Sequence, residues 1–190
     1  MQRTTLSLAA AFAFAAASAF AQAPNDAQIA HIVVTANQVD IDAGKVAEKK
    51  GSNAEVKAFG KQMVTDHTGV NKQATDLAKK LKVKPEDNPT SQSLKKGGDE
   101  NVKKLKGLKG KEFDKAYVDQ EVTYHQAVLD AIDKTLIPNA KNAELKGLIE
   151  KVRPAIDGHL QHAKQLQAKL LAAGFYLGDD ARLKQLGLKK

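Results

Sequence analysis

From Asp26 onward the apolar positions recur at intervals of three and four, the period of an α-helix, and no stretch alternates strictly over strand length. The pattern predicts an all-α fold. A first helix is expected over residues 26–50, with Ile29, Val33, Ala36, Asp40, Ala43 and Ala47 on one stripe and Gly51 as its stop. A second opens on Ser52-Asn53-Ala54-Glu55, spaced as a capping box in which Ser52 accepts from the backbone and Glu55 reaches back. Its stripe reads Val56, Phe59, Met63, His67, Val70, Ala74, Leu77 and Leu81, and Pro85 and Pro89 close it. A third begins near Lys111, carries Val118, Glu121/Val122, His125, Leu129, Ile132 and Leu136, and is expected to end before Pro138. The fourth runs from an Asn142 cap to Gly174 with Leu145, Ile149, Val152, Ile156, His159, Ala163, Leu166 and Leu170. Pro154 lies inside it, and its missing N–H predicts a kink or loosened turn between Glu150 and His159.

Short links between the first and second helices and between the third and fourth make each pair antiparallel, while residues 83–110 are long enough to run along the assembly. This is the organisation of a four-helix bundle over residues 26–173 with one crossover, followed by a short tail, 174–190. The crossover has apolar anchors only at Leu94, Val102, Leu105 and Leu108, so a short helix near residues 100–106 is the most it is expected to hold.

The N-terminus follows another logic. Arg3 precedes an apolar and small-residue run from Leu6 to Phe20, which ends in the A-x-A sites Ala19-Phe20-Ala21 and Ala21-Gln22-Ala23. This is the pattern of a secretory signal peptide over residues 1–21, cleaved after Ala21 because the second site would leave Pro24 at the cut. The run is shorter than the roughly 20 residues that span a bilayer, and no later segment could cross one. The expected destination is the periplasm, with outer-membrane association open.

Composition narrows the chemistry. The 190 residues contain no Cys, which removes disulfides, thiolate-held metals and thiol catalysis; a metal would have to be held by His, Asp or Glu. With 30 Lys and Arg against 22 Asp and Glu the formal charge is +8, and loss of Arg3 lowers it to +7. Residues 82–112 hold 9 Lys and 5 acids, so +4 of that excess sits in the crossover. Lys95, Lys96, Lys103 and Lys104 are therefore candidates for contact with anionic envelope surfaces such as lipopolysaccharide or membrane phosphates. Nucleic acid is not an expected partner: export removes it, and no recognition motif accompanies the charge.

Each of the four stripes is apolar except for one metal-competent residue near its middle: Asp40, His67, His125 and His159. In an up-down bundle helix midpoints share a level, so the four can converge within a turn, at about 1.5 Å rise per residue. A buried polar side chain without a partner costs about 1–3 kcal/mol, so four of them on core stripes call for an explanation. One is a metal centre with three imidazoles and one carboxylate, a donor set that suits Zn²⁺ or Fe²⁺ and also admits Cu²⁺ or Mn²⁺. Asp66, Glu121 and His162 stand close enough in sequence to serve as extra ligands or to orient the rings. The other explanation is a metal-free hydrogen-bonded network that fixes helix register. His31, grouped with Thr35, Gln38 and Asp42 off the stripe, is expected on the surface. No Ser/His/Asp arrangement or Gly-rich phosphate loop is present, so catalysis is the less favoured class.

Asp40 with Gly44, Met63-Val64 with Asp66-His67, Phe113-Asp114 with Tyr117, then His125, Pro154 and His159-Leu160 together resemble the exported bacterial family called domain of unknown function 4142. The likeness covers about residues 26–171 and implies export and a ferritin-like four-helix bundle, without an activity. Di-iron members of the ferritin-like class use Glu-x-x-His pairs. Here Val64, Val122 and Ile156 stand three residues before the histidines, so a mononuclear or purely structural site is expected instead.

Overall fold

The computed structural model describes residues 23–174; the expected signal peptide and the tail beyond Gly174 lie outside the described residues. Five long helices account for almost all of this span, and no strand occurs among the described residues. They are α1 (Asp26–Lys50), α2 (Ala54–Lys80), α3 (Pro89–Gly107), α4 (Gly110–Ala131) and α5 (Ala143–Ala172). No helix among them is long and apolar enough to cross a membrane.

Helix starts are fixed by side-chain caps. Asn25 accepts from the Gln28 backbone N–H while the Gln28 side chain accepts from Asn25, a complete capping box at α1. Asn142 accepts from Glu144 and Leu145 at α5. The start of α2 differs from expectation. Asn53, rather than Ser52, is the N-cap, accepting from Glu55 and Val56. The Ser52 hydroxyl and the Ser52 and Asn53 N–H groups all donate to Asp114, a fully buried carboxylate of α4. Glu55 instead pairs with Lys169 at the surface. The cap is tertiary, which three-residue spacing cannot reveal.

Three further expectations are revised. The crossover is not a loop with a short helix but the 19-residue α3, capped by Asn88 and carrying Pro89 in its first turn, where proline's missing N–H is no loss. Its Gly98 is a contact point: a Cβ there would lie 2.7 Å from a Val39 methyl, so glycine lets α3 close onto α1. Secondly, α4 does not stop before Pro138. It continues through a π-helical turn, Ile132–Leu136, into a last turn, Ile137–Asn139. The wider turn passes the Ile137 N–H to the Ile132 carbonyl and accommodates a proline that cannot donate four residues back. Thirdly, α5 remains helical across Pro154, which lies exposed beside an exposed Glu150, so the carbonyl it leaves unpaired can be hydrated.

α1 packs on α2, α4 packs on α5, and α3 lies along the outer side of α1; the seams between α2 and α5 and between α1 and α4 are less extensive. Gly44 and Gly60 set the α1–α2 approach: a Cβ on Gly44 would meet the Gly60 carbonyl at 2.7 Å, and one on Gly60 the Gly44 carbonyl at 2.8 Å. The core is split. One apolar cluster holds Phe59, Met63, Phe113, Tyr117, Leu166 and Leu170; the other holds Ile29, Ile32, Leu129, Leu136, Leu145 and Ile149. At about 1.5–3 kcal/mol per fully buried large side chain, these two layers supply the main drive to fold. Between them runs a thin polar layer.

Candidate metal centre

The polar layer is built by one residue from each of α1, α2, α4 and α5. Asp40, His67, His125 and His159 are 1, 4, 1 and 5 % exposed, so the layer is buried. The imidazole centroids lie 5.2 Å (His67–His159), 5.5 Å (His125–His159) and 5.8 Å (His67–His125) apart. Oδ2 of Asp40 is 2.7 Å from Nε2 of His67 and 3.4 Å from Nε2 of His125. All four residues expected from the stripes meet here, at the level where the two apolar clusters part.

What the rings do with their outer nitrogens decides what the inner ones can do. Nδ1 of His67 lies 2.6 Å from Oδ1 of Asn37, whose Nδ2 donates to the Val33 carbonyl at 2.8 Å; the amide oxygen must accept, so His67 Nδ1 carries the proton. Nδ1 of His125 faces the Glu121 backbone carbonyl at 3.0 Å and must donate to it. Nε2 of His159 donates to Asp66 at 3.0 Å. A neutral imidazole has one N–H, so the inward nitrogens, Nε2 of His67, Nε2 of His125 and Nδ1 of His159, are lone-pair donors. None of these three, nor either Asp40 oxygen, has a well-directed hydrogen bond. Acceptor faces acceptor in a buried layer, and a proton or a cation would relieve the repulsion.

The electrostatics describe the proton's answer. Burial works against an ionised Asp40, but the charges of His67 and His125 overcome it and hold its carboxyl well below the usual carboxylate range. Burial likewise pulls His67 down, yet the Asp40 carboxylate outweighs it and raises the imidazole above its ordinary value. His125 is pushed down to about 4 by burial, with the neighbouring imidazoles adding to the shift and Asp40 resisting it. His159 is lowered by burial and by His67, against Asp66. Burial raises the Glu121 carboxyl well above its ordinary value, and the neighbouring Asp40 carboxylate adds to the shift. Without metal, the layer therefore favours Asp40 as an anion, and His67 is the imidazole whose protonation that anion promotes.

The same atoms could hold a metal ion. The nitrogens of His67, His125 and His159 lie within 4.8 Å of one another, and donor atoms of Asp40, Glu121 and His125 form a second such group that shares His125. Three nitrogens and one or two carboxylates fit Zn²⁺ or a first-row ion, whereas an all-oxygen Ca²⁺ or Mg²⁺ cage is not available. The expected supporting residues divide. Asp66 orients His159, and Glu121 approaches Nδ1 of His125 with Oε2 at 3.4 Å. His162 stays out: it is exposed, its ring edge-on to Phe59 at 4.9 Å. Lys95, Lys96, Lys103 and Lys104 are exposed on α3, away from this layer. His31 is only partly exposed, 3.7 Å from Asp87 at the start of α3.

Sequence reasoning missed Asn37, a buried amide three residues before Asp40 that chooses the His67 tautomer. The available signal was a second polar residue beside an apolar stripe. No curated protein and no solved structure matches this chain. A family model, Domain of unknown function (DUF4142), matches residues 10–166, most of the sequence, with the whole polar layer inside it. The chain belongs to that family.

Proposed function

We propose that this protein is an exported, periplasmic helical bundle of ferritin-like type that binds one transition metal ion, Zn²⁺ or Fe²⁺, in its core, with Asp40, His67, His125 and His159 as ligands. The observation that carries the reading is the tautomer pattern. Three different acceptors, Asn37, a backbone carbonyl and Asp66, take the outer N–H of three histidines and leave three lone pairs aimed at one another and at a carboxylate. A packing network would pair all of those inner atoms; here only Nε2 of His67 stands at hydrogen-bond distance from Asp40, and Nε2 of His125 and Nδ1 of His159 have no hydrogen bond. Binding rather than catalysis follows from the donor count, since four protein ligands fill a tetrahedral ion and leave no open position for substrate unless Asp40 withdraws.

The test is elemental analysis by mass spectrometry of the mature protein, purified without a His tag or chelator, beside the H67A/H159A variant. About one metal per chain, lost in a variant that keeps its helical circular dichroism, is the expected result. No metal in the wild type after reconstitution with Zn²⁺, Fe²⁺ and Cu²⁺ would overturn the proposal and leave the layer as a register-fixing network.

A further inference from the structure

The outer side of α1 holds a second place where side chains of complementary character are left without partners. α3 runs parallel to α1 and is tied to it at three levels. Asn88 donates to the Gln28 carbonyl at 3.3 Å, Gly98 sits against Val39, and the Lys50 ammonium donates to the Leu105 and Lys106 carbonyls. Between these ties the two helices enclose an open groove of about 950 Å³. That volume falls at the upper end of the roughly 300–1,000 Å³ typical of small-molecule sites.

The groove is amphipathic along its length. Val34, Val39, Val46 and Val102 contribute an apolar floor. One end, near His31, Thr35 and Gln38, has a single lysine, Lys95, and that one is paired with Asp99. The other collects lysines from the last turns of both helices. The acids that line it are already engaged, Asp42 by Lys45 at 3.2 Å and Asp99 by Lys95 at 2.7 Å. Lys50 is committed to the α3 carbonyls. That leaves Lys49, Lys103 and Lys106, which form no ion pair among the described residues, at one end of an apolar trough.

We propose that this groove binds a single-chain anionic amphiphile, with its phosphate or carboxylate head at Lys49, Lys103 and Lys106 and its acyl chain along the valines. A small anion would use the ammonium groups and leave the floor wet. A neutral chain would cover the floor and leave the charges unmet. A nucleic acid strand would find no Phe, Tyr or Trp in the groove on which to stack a base. Only a molecule with both parts satisfies both parts of the surface, by charge-assisted hydrogen bonds at one end and apolar burial at the other. The site shares no residue with the polar core, so it stands or falls independently of the metal.

Isothermal titration of the mature protein below the critical micelle concentration tests it, with dodecyl phosphate and dodecanoate as probes and inorganic phosphate and dodecyl maltoside as the head-only and chain-only controls. Saturable binding of one dodecyl phosphate or dodecanoate per chain is expected, with either control weaker by about tenfold or more. The K49E/K103E/K106E variant should lose about tenfold or more in affinity, and V34E, which places a carboxylate on the floor, a similar amount. Both changes are at the surface, and circular dichroism verifies that the fold is kept. Maltoside binding as tight as the phosphate, unchanged affinity in the triple variant, or no saturable binding of either anionic probe would each overturn the proposal.

Discussion

The two faces of α1 carry charge under opposite rules. On the inner face Asp40 is wholly buried, and its ionisation holds only because imidazoles from α2 and α4 stand against it. On the outer face Asp42, Lys45 and Lys49 are exposed to solvent, where water and ions do most of the screening. Residues two positions apart on one helix thus differ in what their charge is worth. Inside, geometry decides energy, and removing one member leaves another stranded. Outside, a charge can be exchanged at little cost to the fold and is free to serve recognition.

The sharpest way to break the contrast is a double-mutant cycle in urea on the metal-free protein. D40L or H67L alone should cost about 3–5 kcal/mol, because each leaves the remaining partner of a buried ion pair uncompensated. The double variant should cost less than the sum, and a sum without coupling would show that the pair is not the unit it looks like. Next in size is the pH dependence. His125 resists protonation down to about 4 in the folded state, against an ordinary 6.5 unfolded, so the unfolded chain takes up the proton first and stability falls as pH drops between these values. By pH 4 the loss from this residue alone is about 3 kcal/mol, and H125L should remove that part of the slope in urea midpoints measured without metal. His159 adds in the same direction. His67 works in the opposite sense and in another window: its raised value gives stability that is complete and constant below about 6.5 and is lost as pH rises through the folded value, so it leaves the acid loss unchanged and adds a decline on the alkaline side.

A smaller effect is expected at the layer that orients the rings. D66N keeps an acceptor for His159 but removes its charge, and metal affinity, read by competition with a chromophoric chelator, should fall about 10-fold to 100-fold. Smallest of all is K45A on the outer face, where both partners of the Lys45–Asp42 pair are about half exposed. A thermal melt should register no more than about 0.5 kcal/mol.

Much of this was readable from period and spacing. The α1 boundaries, the Asn142 cap and the placement of Asp40, His67, His125 and His159 at one level all follow from helical arithmetic on apolar stripes. What the period could not carry were contacts between distant segments. Asp114 caps α2 from α4, Asn37 selects a tautomer across the α1–α2 interface, and Asp66 serves a histidine on another helix. The α3 helix exceeds expectation because its apolar anchors are few and its glycine at position 98 has a tertiary role. Gly98 is required by the approach to Val39, and packing overrides its weak propensity. The π-helical turn was invisible for a similar reason, since a proline signals that a helix must change without saying that it can widen and go on.

The Gly44–Gly60 contact reaches beyond packing. It lies one turn from Asp40 on α1 and two turns from His67 on α2, so the same backbone approach that fits two glycines together also brings that carboxylate and imidazole to 2.7 Å. The pair works as a spacer gauge. Its thickness sets how closely that carboxylate and imidazole approach and so, for the metal ion proposed above, which ionic radius the core would prefer. Widening it by a methyl group would retune that preference while every ligand kept its identity.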